Sequence, residues 1–512
     1  MGKAKRTQLK RAEEMERAQR TADAKRAERR ESMKITIAVV AVLLVVAIVA
    51  ASCSLIVLSI RGTGNYLRNR IGIKSENIEV NNAMTSYFFY DTINSSITSM
   101  LSTYGLTYGI DSTTAIQYGL IPNPSQPLKT QTQTGTTTSW YDYFLSATKS
   151  NITSMLVLAE GAREAGIKLD ETEYARIDRS IDGLTKAAEE DGTTPDKFLS
   201  ENYGYGVKVS DVRDALELYY LSQKYYFLTR DAIEVTDSEI DTYYNAHTED
   251  FEVVDYKAYM FRDTISNNAL RDAARLALVT SLEEYDSVLY EILGSDYYDD
   301  DADREAAVKS ALYENMSKPS GEVGEWLFSD ERKVNDVKMF TDEANGTATV
   351  YILVNEAHID ESETRNVRHV LFGSGSYESD DEAKKAAEDA LAEFIASGSS
   401  VEKFAELAAK HSTDSGSYES GGLYENVHKG QMVTEFDEWL FDENRKDGDV
   451  GIVKTSYGYH LMYYACEGLP KWRGDIKSAL ISEKYTDIAE ELMEKYPVTV
   501  DDKKLSNIPD IK

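Results

Sequence analysis

Cysteine is nearly missing from this 512-residue chain: Cys53 and Cys466 are the whole supply. That excludes a disulfide scaffold and a cysteine-built zinc site. Six histidines leave little material for a His-rich metal centre, and none falls in an HExxH spacing. Basic residues are outnumbered, 56 against 88 acidic ones, for a net charge of −32. Such a surface repels phosphates, which argues against nucleic acid as a partner. Phenylalanine is scarce at 14 beside 34 tyrosines, a balance suited to large, wettable apolar surfaces. The length allows about three domains, and 42% hydrophobic residues can fill their cores.

The charge is unevenly spread. Residues 1–34 carry a net +6 and the rest of the chain −38, and between the basic flank and the acidic part Ile35 to Ile60 has no charge over 26 residues. As a helix that run is about 39 Å long, enough to cross a hydrocarbon core of about 30 Å. The basic flank predicts a cytoplasmic tail, and the acidic 61–512 an exported part. A cleaved leader is the rival reading. Ala50-Ala51-Ser52-Cys53 loosely resembles a lipobox, although apolar residues continue past the cysteine to Ile60. The tail reads as a topology-setting flank, with contact to anionic headgroups as the alternative.

Residues 61–250 read as mostly helical. Tyr141 to Gly166 has helical apolar spacing through Phe144, Leu145, Ile152, Met155 and Leu158. Ser210 is expected to cap a helix through Leu216, Tyr219, Tyr220 and Tyr225, and Thr236 to Glu239 forms a capping box. Ile121 to Ser139, with Pro122, Pro124 and Pro127, has loop composition. The Tyr-rich faces read as core, or alternatively as a cradle for unfolded chains.

An internal repeat follows. Glu325-Trp326-Leu327-Phe328 and Glu438-Trp439-Leu440-Phe441 open two 13-residue stretches, 113 residues apart, with 8 identities. This implies two copies of a domain of about 110 residues. The second copy reads as a strand at Arg368 to Phe372, then a capped helix from Ser379 to Gly398 and a short helix at Val401 to Lys410. After a Gly421-Gly422 turn come a further short helix and the strands Val450 to Lys454 and Gly458 to Ala465. In the first copy Ala258 stands where the second has His369, and Thr349-Val350 where it has Tyr459-His460. The helix-rich stretch Ala269 to Met316 is expected to occupy the region of the pocket loops, leaving that copy silent. The acidic run Asp296 to Asp303 lacks the glycine and spacing of an EF-hand loop.

The second copy resembles a parvulin-type peptidyl-prolyl isomerase. The resemblance is carried by Val367 to Leu371, Phe404 to Ala408 leading into Ser412-Thr413-Asp414, Gly421-Gly422-Leu423, Gly430 to Val433 with Phe436, and Thr455 to His460. The whole exported part is similar to extracytoplasmic foldases of the PrsA and SurA type, the former more closely, which suits a Gram-positive cell surface. The resemblance implies His369, Asp414 and His460 as catalytic residues. It implies Leu423, Met432 and Phe436 as the proline pocket, with Thr455 and Tyr457 near the histidine pair. The histidines also admit a purely architectural reading, bonded to each other and to hydroxyls. Acidic residues at Glu378, Asp380, Asp381 and Glu382 argue against preference for phosphorylated Ser-Pro.

The expected fold is therefore multi-domain. A basic tail (1–34) precedes a transmembrane helix (35–60) and a mostly α-helical chaperone-like region (61–250). A degenerate parvulin-like α+β domain (251–360), a parvulin domain (363–467) and a C-terminal helical segment (468–512) follow. The expected partners are unfolded exported proteins with X-Pro bonds, and the lipid bilayer through 35–60. The sequence admits a dimer, and no cofactor or metal is implied. The rivals are a catalytically silent holdase and a cell-envelope protein-binding module.

Overall fold

The computed structural model describes residues 65–510 apart from 263–267, 295–296, 299 and 378. The tail 1–34, the run 35–60 and Cys53 lie outside the described residues. Among the described residues, no helix is long and apolar enough to cross a membrane. The chain forms two compact units, one of residues 234–369 and 423–481, the other of 65–233, 370–422 and 482–510.

The second of these units is mainly helical. Its long helices are Asn82–Tyr108, Trp140–Glu164, Glu171–Glu190 and Val209–Asp231. Each start has a local cause. Asn81 accepts the Ala83 and Met84 amides, Ser139 the Asp142 amide, and Asp170 with Glu173 closes a capping box. The expected cap at Ser210 is displaced. That helix begins at Val209, the Asp211 carboxylate accepts the Lys208 amide at 2.9 Å, and the Ser210 hydroxyl accepts from Arg68 instead.

The core of this unit gathers Phe88, Phe89, Trp140, Tyr141, Phe144, Ile152 and Leu156. Tyr87, Tyr203 and Tyr219 pack against the same cluster. Gly161 lets two helices approach, since a Cβ there would stand 2.6 Å from the Tyr225 ring. The chain's end returns to this unit. Thr499–Val500 pairs with Ile71–Lys74, which pairs in turn with Glu79–Asn81. Leu505 and Ile508 are buried in the same core, and Ile508 accepts the Tyr141 hydroxyl at 2.8 Å. The Asp510 carboxylate accepts the Leu128 and Lys129 amides.

The other unit holds two four-stranded sheets. The first contains β1 (Glu252–Arg262), β2 (Leu312–Ser317), β3 (Val337–Asp342) and β4 (Thr347–Ile359) in the order β2-β1-β4-β3. The next contains β5 (Thr364–Gly373), β6 (Leu423–His428), β7 (Val450–Thr455) and β8 (Gly458–Glu467) in the order β6-β5-β8-β7. β5 continues past His369 into the helical unit. The central strand β8 is buried from Gly458 through Tyr464, whereas the edge strand β2 is exposed at every position.

The two sheets repeat each other down to an irregularity. Each first strand breaks register against its edge partner, at Val254/Tyr256 and at Arg365/Val367. Opposite each break an asparagine, Asn315 or Asn426, adopts φ 52°. Asp255 and Asn366 accept the amides of those asparagines, both at 2.7 Å. Such a bulge tightens the local twist and fixes register.

One expectation for the first sheet changes. Ala269 to Met316 is helix-rich as expected: it comprises the helices Ala269–Leu276, Leu282–Ile292 and Asp301–Lys309 followed by β2. This is the same helix-then-edge-strand order that Asp380–Ala396, Val401–His411 and β6 follow. Register, however, shifts the partner of His460. Val453 pairs with His460 on β7–β8, and its repeat mate Phe340 pairs with Thr349. Thr349, not Val350, therefore occupies the His460 position, because the β3–β4 turn is two residues longer than the β7–β8 turn. Ala258 keeps the His369 position, since Lys257 pairs with Leu312 as Arg368 pairs with Leu423.

Candidate active site

The site is built from all four strands of this sheet, β5 to β8, and the short helix Thr434–Leu440. β5 carries His369 and the neighbouring central strand β8 carries His460, both of them buried. Their Nδ1 atoms lie 3.1 Å apart, with the rings near-parallel at 5.3 Å. The hairpin turn after β7 sets Thr455 Oγ1 2.9 Å from His460 Nε2, and the Tyr457 amide donates to the same oxygen at 3.1 Å. Two proton directions fit. Either the Thr455 hydroxyl donates to His460 Nε2 and His460 Nδ1–H to His369, or both bonds reverse. One proton sits between the facing nitrogens in each case.

Aromatic rings enclose the pair. Tyr424 stacks on His369 at 4.9 Å, and Phe436 stands edge-on to both imidazoles at 5.7 and 5.6 Å. Met432 is half-buried and packs against the core cluster that contains Phe436, Val367, Leu440, Val453 and Met462. The Tyr457 ring is 62% exposed, so its contribution here is the backbone amide. Tyr424 pairs with Val367 and Leu423 with Arg368. Strand alternation therefore sets Tyr424 on the His369 side and Leu423 on the reverse. Sequence reasoning missed Tyr424. Strand parity, counted from β5 across to 423–428, was the signal that could have found it.

Asp414 lies in the helical unit, within its own local network. Its carboxylate accepts from the Ser417 hydroxyl and, at 3.2 Å, from the Gly416 amide. The Ser412 hydroxyl accepts the Leu371 and Asp414 amides, at 3.0 and 3.2 Å. The Thr413 amide donates to the Leu371 carbonyl at 2.8 Å. The strand bearing His369 thus ends bonded to the Ser412-Thr413-Asp414 turn. Further along, burial pushes the Glu419 carboxyl up to about 7, with Glu173 adding to the rise and Arg176 and Lys224 opposing it. Burial pulls His411 below the usual imidazole range.

Residues 351–464 match the model of the PPIC-type PPIASE domain. The chain carries a parvulin-type domain. Over 110 residues the chain is 39% identical to the Foldase protein PrsA of Staphylococcus epidermidis, covering 20% of this chain and 33% of that protein. Over 176 residues it is 30% identical to the Foldase protein PrsA of Staphylococcus aureus strain Newman, 31% of this chain and 53% of that one. The chain thus spans between a third and about half the length of these curated relatives. The crystal structure of a peptidylprolyl isomerase (PrsA) from Bacillus anthracis aligns with 54% of this chain and 96% of its own, at 13% identity and a TM-score of 0.17. The parvulin-type domain includes β5 to β8, the histidine pair and Asp414.

Proposed function

We propose that the chain is a membrane-anchored extracytoplasmic foldase, which binds exported, incompletely folded proteins and isomerises their X-Pro bonds. The observation that carries the reading is the buried His369–His460–Thr455 chain, flanked by Tyr424 and Phe436, inside the parvulin-type domain.

The chemistry asks little of such a site. A prolyl bond isomerises unaided in tens to hundreds of seconds, and no covalent bond has to break. The catalyst must bind the twisted amide better than either planar form. Phe436, Met432 and Tyr424 supply an apolar wall for the proline ring, and excluding water favours an amide that has lost its resonance. The histidine chain holds that wall and is itself anchored through Thr455. Asp414 takes its role from the motif order: its charge eases loss of double-bond character at the carbonyl, and no thiol is there for covalent attack. The first sheet, with Ala258 and Thr349 at the histidine positions, is catalytically silent. Its corresponding face is packed with Tyr256, Trp326, Phe340 and Tyr351. Anchoring rests on the charge-free run 35–60 behind its basic flank.

A protease-coupled assay on a proline-containing peptide tests the reading with the full chain. Wild type should accelerate isomerisation, and Asp414→Ala should lower the rate by about 10²–10³. Full activity in the variant would remove Asp414 from the mechanism. A wild type at the spontaneous rate would leave a holdase in place of an isomerase.

A further inference from the structure

The helix Val401–His411 ends immediately before Ser412-Thr413-Asp414; the Ala408 carbonyl accepts the Ser412 amide at 2.9 Å, and the carbonyls from Ala409 onward are left without helical partners. Two arginines of the helical region meet them. Arg176, on Glu171–Glu190, donates through Nε to the Ala409 carbonyl at 2.8 Å and through Nη2 to Ala409 and, at 3.2 Å, to Ala408. Its Nη1 reaches the Ser412 carbonyl at 3.1 Å, and Arg179 donates to the Lys410 carbonyl at 3.1 Å. The Arg176 guanidinium also lies over the Tyr418 ring, 3.7 Å from its centroid. Arg176 is buried although it carries a full charge. A planar fork against several carbonyls at the negative end of a helix satisfies that charge, as the point charge of a lysine cannot.

Ser412 is the junction. Its carbonyl is held by Arg176, while its hydroxyl accepts the amides of Leu371 and Asp414. Asp414 in turn folds back on Gly416 and Ser417. We propose that Arg176 is a positioning residue for the isomerase reaction, acting on Asp414 through Ser412 although it lies in the chaperone-like region. This rests on the isomerase reading above. The contact makes the helical region part of the catalytic apparatus.

The test uses the full chain with Arg176→Ala and Arg176→Lys. Arg176→Ala should lower kcat on a short proline peptide about 10–100-fold while KM stays near wild type, the signature of misplaced rather than missing contacts. Arg176→Lys, keeping the charge without the fork, should fall between. Amide hydrogen exchange at 408–414 should quicken in Arg176→Ala and less so in Arg176→Lys. If Arg176→Ala does not fold, Arg176→Lys carries the test, and wild-type kcat in that variant overturns the inference. An active wild type matched by both variants sinks the inference alone. A wild type at the spontaneous rate sinks the isomerase reading and the inference with it.

Discussion

Glu419 shows how one side chain's surroundings set a pH dependence. It faces Glu173 and Arg176 on one helix, Asp170 at the cap of that helix and Lys224 on another, and burial is the largest cause of its rise to about 7. A carboxyl whose folded pKa exceeds its ordinary 4.5 binds its proton more tightly in the folded state. Its contribution to stability is full below about 4.5 and is lost as the pH rises through 7. Glu419→Gln removes the titration and keeps the shape. Between pH 4.5 and 7.5 the wild type should therefore lose roughly 1–3 kcal/mol relative to the variant, after allowance for solvent screening. Urea midpoints measured for both proteins across that range check it, and parallel curves would refute the assignment.

At the scale of elements, local signals were the legible ones. Ser379 accepts the Glu382 amide, Thr236 and Glu239 close their box, and Gly421 and Gly422 turn with φ of 68° and 77°. Each of these is written within four residues. The histidine pair was also foreseen, because the motif that carries it fixes two strands at once. Tyr424 and Thr349 were not, since both depend on register between strands and a two-residue change in a turn. Arg176 left no trace, because its partners lie more than 230 residues away. The third strand of the small sheet, Thr499–Val500, was hidden for the same reason. Its docking is nonetheless substantial. Burying Leu505 and Ile508 contributes about 1.5–3 kcal/mol each, and Asp510 and the Tyr141 hydroxyl add hydrogen bonds. Ending the chain after Tyr496 should lower the melting temperature by 10 °C or more, at roughly 2–4 °C per kcal/mol. An unchanged melt would show that the tail is ornament to that core.

For the whole molecule, the first prediction is topological. On the proposed reading, a flank of +6 before an uncharged 26-residue run is expected to place 61–512 outside the cell. Protease added to intact cells should digest that part and spare the tail, and protection of the C-terminal region would reverse the assignment. The return of the chain's end to its beginning has a second consequence, in time rather than in space. Ile73 waits for Val500 and Tyr141 for Ile508, at sequence separations of 427 and 367. An exported part that emerges in sequence order from residue 61 onward cannot close that core until residues 499–508 are through. The two sheets have all their strands by Glu467, well before then. Export should therefore deliver both sheets folded while the core of the helical unit still waits for residues 499–508.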